Sequence, residues 1–304
     1  MLFLDKINNM SAKPVSEGTT TNMKIAELIE HIKEISNQAW NGKPIEVSTT
    51  RDQILYGTPE AECTGVVTTC YASVAVIQRA GKLGCNFIIV HESLFWNHGD
   101  HTDWLSSNTA FQKKRALLDK YHICIWRCHD YIHAGLPVDG IYRDGIFYGM
   151  SSLLNWNDYM DAPDTLMPQR FHIPECTVFE MARLLTDRFH LDGVRFIGNP
   201  HTRIREVYVP LHIMGHSGDS KIISKINDEN INCLITLEMV DFTVCEYIRD
   251  AAMMGEDRCI FALGHFNMEE IGMEYFAGYI SEKLFPELPV HFIQSGDAYG
   301  YIPV

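Results

Sequence analysis

Three apolar runs of this chain each end at a histidine, and that arrangement narrows the folds open to it. CNFIIV stops at His91, HICIWRC stops at His129, and RCIFAL runs through Gly264 into His265. Each run is short, dense in branched or aromatic residues and free of polar alternation, as expected of a strand buried within a sheet. A helical pattern precedes each one. Ala72 to Lys82 closes at Gly84, Thr109 to Lys120 follows the capping residues Ser107 and Asn108, and VDFTVCEYIRDAAMMG ends on a glycine. Two further strands, CTGVVTTCY and NCLITLEM, stand ahead of the first and third helices. Strands alternating with helices predict an α/β fold, and in such sheets the loops beyond the carboxyl ends of strands gather the ligand-binding groups.

The first and third units resemble each other, which predicts two related lobes with mixed sheets flanked by helices and a site in the cleft between them. Residues 1–22 are polar and lack an apolar period, so they read as a tail ahead of a start near Met23. The expected lobes are 23–138, opening with the amphipathic segment MKIAELIEHIKEIS, and 139–304, whose last helix can pack back on the first lobe. The stretch from about 140 to 210 reads as scaffold.

A length of 304 residues with 46% hydrophobic composition is enough to bury a full core. No apolar run approaches the roughly 20 residues needed to cross a bilayer, so no membrane association is expected. MLFLDKINNM is poor material for a secretory signal, which predicts a cytoplasmic protein. The 9 cysteines are odd in number and never spaced Cys-x-x-Cys, consistent with reduced, buried thiols. A net charge of −14 repels phosphate backbones and anionic lipid, which argues against nucleic acid as a partner.

The chemistry is expected in VHESLFW, HDYIH and GHFNMEE. Imidazole and carboxylate together suit Zn, Fe, Mn, Co or Ni. His265 and Glu269 are four apart at a helix start and project from one face, so a carboxylate at Glu269 is placed to bridge two ions. His91 and Glu92 are neighbours at a strand end, where side chains diverge, and they suit two ions better than one. A lone strand-end histidine is more often a hydrogen-bonded boundary residue; three such motifs together favour ligation. His98 and His101 lie in a loop without a supporting strand and read as solvated. Asp130 reads as a turn residue or an acceptor for a neighbouring histidine. GDAYGYIP is turn chemistry and not a phosphate loop, because no helix follows its glycines.

With these residues in view, the chain resembles the Nif-three-like dinuclear-metal family, whose members are often labelled type-two GTP cyclohydrolase I-like. That family carries a strand ending in His-His-Pro-Leu, a later His-Thr-Asn-Leu-Asp and a closing Gly-His-aromatic-x-x-Glu, and the three motifs here follow in that order. The resemblance implies a metal set of His91, Glu92, His133, His265 and Glu269, with Glu92 standing for a histidine and His133 for an aspartate. It further implies that both altered positions serve the same ion, that His129 is a non-ligand histidine able to move a proton, and that the chain assembles as a homohexameric ring.

The expected function is a metal-dependent hydrolase holding two divalent metal ions and using a metal-bridged hydroxide on a small-molecule substrate. The alternative is a metal-binding scaffold or trafficking protein in which nothing turns over. A partner-binding adaptor is the third reading.

Overall fold

The computed structural model describes residues 23–302; the tail expected over 1–22 lies outside the described residues. Helix α1, Ile25–Ile35, forms because Ile25, Leu28, Ile29 and Ile32 recur on one face and are buried there. The hairpin of β1 (Ala39–Trp40) and β2 (Lys43–Pro44) follows. The first sheet then begins with β3 (Ile54–Tyr56), β4 (Val66–Thr69), helix α2 (Val74–Leu83), β5 (Phe87–Val90), helix α3 (Thr109–Lys120) and β6 (Cys124–Arg127). Ser73 and Asn108 cap α2 and α3 through their side-chain oxygens, and Gly84 at φ 74° ends α2. Strands β4, β5 and β6 are parallel, and β3 lies antiparallel against β6.

A short connecting region carries α4 (Asp130–Ala134), β7 (Leu136–Val138), β8 (Ile141–Arg143) and α5 (Phe147–Leu153). The second sheet is built from β9 (Arg170–Thr177), helix α6 (Val178–Arg188), β10 (Arg195–Gly198), β11 (Arg203–Ile213), helix α7 (Asp219–Asp228), β12 (Cys233–Met239), helix α8 (Val244–Met253) and β13 (Cys259–Ala262). Its order is β10-β13-β12-β11-β9, with β11, β12 and β13 parallel and both edges antiparallel. The two sheets therefore repeat one plan: three parallel strands joined by two helices, closed by an antiparallel strand that precedes them in sequence and pairs with the last of them. That repeat is what the likeness between the motif-bearing units foreshadowed.

Helix α9, His265–Tyr279, leaves β13 and crosses to the first lobe, where the Thr68 hydroxyl donates to the Met273 carbonyl at 2.8 Å. Strand β14, Val290–Phe292, then pairs in parallel with β4 and completes the first sheet as β14-β4-β5-β6-β3. The two lobes share one core. Phe87, Ile89 and Trp126 of the first sheet join Val207, Ile235 and Phe261 of the second, with Met268 and Phe276 of α9. Alternate residues such as Ile88 and Ile125, or Leu234 and Ile260, face the other way into smaller outer clusters. Double-sided burial explains why these strands read as unbroken apolar runs. Among the described residues no helix is long and apolar enough to cross a membrane. The nine cysteines are free, and all but the half-exposed Cys176 are buried.

Candidate metal centre

The strand ends deliver the expected residues to one place. His91 and Glu92 follow β5, His129 follows β6 and leads into α4 with His133 one turn on, and His265 and Glu269 occupy the first turns of α9. Parallel pairing of β5 with β6 sets His91 beside Cys128, whose carbonyl accepts the ring Nδ1–H at 3.2 Å. That bond leaves Nε2 with its lone pair free. It stands 3.6 Å from Glu269 Oε2. Both atoms are buried and have no hydrogen-bond partner among the described residues. A buried acceptor facing a buried carboxylate oxygen is an arrangement that a shared cation satisfies.

His133 is held on three sides. Its ring lies between Trp40 (5.5 Å, 9°) and Phe147 (6.1 Å, 17°), and its Nδ1–H donates to Asp144 Oδ2 at 2.8 Å. Asp144 is fixed in turn, its Oδ1 accepting the Ile146 and Phe147 N–H groups at 2.9 Å each. His265 has the same arrangement: Nδ1 meets Glu238 Oε1 at 2.7 Å, while Nε2 lies 3.2 Å from Glu269 and 3.7 Å from Glu92. A carboxylate on one ring nitrogen fixes the tautomer and presents the other nitrogen to an ion. The sequence assigned only scaffold to 140–210, yet Asp144 and Phe147 come from that stretch. Its spacing carries no signal because only the fold brings Asp144 beside His133.

Glu92 accepts from the buried Arg127 guanidinium at 3.1 Å, and Arg127 also binds Asp100 at 2.9 Å and the His91 carbonyl at 3.1 Å. Burial works to raise the Glu92 carboxyl, but His265, His91 and Arg127 outweigh it and hold the group down to about 2. Burial likewise opposes ionisation of Glu269, and the His91 and His265 rings beside it bring it well below the carboxylate range. Burial disfavours charge on His265 too, yet Glu238, Glu269 and Glu92 push it up to about 12. The pocket thus attracts positive charge strongly enough to hold a proton where a divalent cation fits.

Three sets of donors converge within 4.8 Å of one another: His91 with His129 and His133, His91 with Glu92 and Glu269, and His212 with Glu238 and His265. His133 therefore groups with His91, whereas Glu92 stands toward His265, with Glu269 between the two sides. The altered positions 92 and 133 thus fall in different sets of donors, which share His91. They follow different strand ends, Glu92 after β5 and His133 after β6.

His129 stacks on His91 with ring centroids 4.6 Å apart and planes at 10°. Its Nδ1–H donates to Asp130 Oδ1 at 3.0 Å, so Asp130 is the neighbouring acceptor that the sequence suggested, and its Nε2 accepts from the Arg51 guanidinium at 3.1 Å. Burial, above all, pulls the imidazole down to about 3, which keeps it neutral. The segment holding Arg51 is locked to α4: Asp52 accepts the N–H groups of His129, Asp130 and Tyr131, and Asp130 Oδ2 accepts the Thr50 hydroxyl and the Arg51 N–H. Of the loop histidines expected to be solvated, His98 is exposed but sets Nδ1 3.6 Å from Glu92 Oε2, and His101 is exposed.

Above these groups lies a cavity of about 370 Å³, lined by Glu92, His129, His133, His265 and Glu269 below and by Trp40, Arg51, His98, Phe147, Met167, Leu211, His212 and Leu237 around. Leu211, His212 and Leu237 belong to the second sheet, so the cavity opens between the lobes.

The fold has known counterparts. A hypothetical protein of Staphylococcus aureus matches with a TM-score of 0.62 at 14% identity over 93% of this chain and 100% of that one. The reduced HcgD protein of Methanocaldococcus jannaschii matches with a TM-score of 0.59 at 17% identity over 90% of this chain and 99% of that one. A NIF3-related protein of Bacillus cereus matches with a TM-score of 0.62 at 13% identity over 93% and 100%. No curated protein gives a significant sequence match. The family model described as Duf34/NIF3 (NGG1p interacting factor 3) aligns with residues 23–297, a span that includes every strand end described above, and the chain belongs to that family.

Proposed function

We propose that the chain is a dinuclear divalent-metal hydrolase acting on a small molecule. The observation that carries this reading is the pair of orphaned, buried atoms, His91 Nε2 and Glu269 Oε2, at the floor of a cavity large enough for a substrate. His91 and His133 are proposed to hold one ion and Glu92 and His265 the other, with Glu269, which faces both sides, as the bridge. When bound, the cations supply Lewis acidity toward water and toward a substrate oxygen. Metal identity stays within Zn, Fe, Mn, Co and Ni by the donor set.

The chain's own groups do the rest. Asp144, Glu238 and the Cys128 carbonyl fix the three ligand rings. Arg127 neutralises the outer oxygen of Glu92. His129 is the proposed proton carrier: it is neutral, Asp130 holds its tautomer, and its Nε2 faces the cleft beneath Arg51. The lobes are assigned to 23–138 and 139–304, with β14 returned to the first sheet, and a homohexameric ring is the proposed assembly.

A screen of the metal-loaded protein against phosphoester, nucleotide and cyclic amide substrates tests the reading. Turnover in the wild type that falls by two orders of magnitude or more in Glu269→Gln is expected, and equal rates in both would contradict it. The scaffold or trafficking reading draws on one observation, that both nitrogens of His129 are already engaged; metal that exchanges freely, with no substrate turned over, favours it.

A further inference from the structure

Among the described residues, Arg51 is the one arginine or lysine that lines the cavity. Its backbone is pinned from both sides, its own N–H held by Asp130 at 3.0 Å and the flanking Asp52 carboxylate bound to three N–H groups of the α4 start. The side chain is exposed at the cleft mouth. Of its five N–H donors, one meets the neutral His129 ring, and no carboxylate lies in ion-pair range of the guanidinium among the described residues. Arg127, by contrast, is wholly buried and engaged by Glu92, Asp100 and two backbone carbonyls. A cation on a pinned backbone, with spare donors, at the rim of a pocket in a chain of net charge −14, matches an anionic oxygen group on a ligand. Most of the rest of the wall is apolar, formed by Trp40, Phe147, Met167, Leu211 and Leu237, with His98 and His212 completing it.

We infer that the substrate is a small molecule with an apolar or aromatic body and one anionic oxygen group, carboxylate or phosphate, and that Arg51 binds this group. The inference rests on the proposed function and deepens it. Binding an anion draws the guanidinium from its single neutral acceptor to a charged one, which is the stronger hydrogen bond, and so releases His129 Nε2. Recognition of the substrate and freeing of the proton carrier are one event.

The test titrates metal-loaded protein with benzoate, phenylphosphonate, methylphosphonate and the neutral benzyl alcohol, with metal content measured on the same samples. Arg51→Met is expected to weaken the anionic ring probe by tenfold or more, Arg51→Lys by less, with metal content unchanged. The stronger of benzoate and phenylphosphonate identifies the anion, and methylphosphonate is expected to bind more weakly than its phenyl counterpart. Equal affinity in Arg51→Met and wild type, or benzyl alcohol binding as tightly as the anions, overturns the inference. Wild-type protein that takes up no metal overturns the proposed function instead, and the Arg51 comparison is still read on that protein.

Discussion

The ring of His133 can point only one way, because Trp40 and Phe147 clamp its faces and Asp144 holds its Nδ1–H. Replacing Asp144 by Asn removes the acceptor that fixes the tautomer while keeping the side chain's size. Metal affinity is expected to drop by about 10- to 100-fold, the usual cost of losing such a partner. Competition against a chromophoric chelator reads this, and unchanged affinity would show that Asp144 does not orient His133. A second residue carries a pH dependence. Lys114 is 2% exposed, donates to the Leu94 carbonyl at 2.7 Å and the Tyr71 hydroxyl at 3.2 Å, and burial draws its ammonium down to about 7. Between pH 7 and 10 the unfolded chain keeps a proton that the folded chain has released, so stability gains with rising pH; below about 7 both states are protonated and the effect is flat. The stability of wild type relative to Lys114→Met is therefore expected to increase from pH 7 to pH 10 in urea titrations. A difference that stays constant, or falls, contradicts this.

Helix α9 is the element that joins the lobes, and its position depends on a close approach. A Cβ added at Gly272 would lie 2.4 Å from Ile146 Cα, backbone against backbone, so neither side can yield cheaply. Gly272→Ala is expected to destabilise the fold by about 1–3 kcal/mol and to weaken metal binding with it, because the helix that shifts carries His265 and Glu269. Thermal unfolding with and without added metal checks both effects; an unchanged midpoint would show that α5 and α9 can separate freely. At this scale the sequence was informative wherever burial was double-sided or caps were strong. Phe87–Val90, Cys124–Arg127 and Cys259–Ala262 follow from unbroken apolar runs, and Thr109–Lys120 from its Asn108 cap. The hairpin over Ala39–Pro44 had no such signal, since its strands are two residues each and partly exposed, and yet it supplies Trp40.

Across the whole molecule, the strand ends brought His91, His129 and His265 into view, and the motifs around them, with the family resemblance, added Glu92, His133 and Glu269, because each belongs to a local pattern. Asp52, Asp144, Glu238 and Arg51 have no local pattern. Asp52 reaches His129 from 77 residues away and Glu238 reaches His265 from 27, so only the folding of each lobe reveals them. The fold places a carboxylate two residues beyond corresponding pairings in each sheet: Glu92 after Val90, the last β5 position paired with β6, and Glu238 after Thr236, the last β12 position paired with β13. One meets His265 at Nε2 and the other at Nδ1, so the repeated plan of the lobes converges on a single imidazole. The most direct test of the account is the metal content of the chain, by elemental analysis of protein purified without added metal and then after loading, compared with Glu269→Gln. The account predicts two divalent ions per loaded wild-type chain and at most one in the variant. One ion or none in the wild type, or two in both proteins, would contradict it.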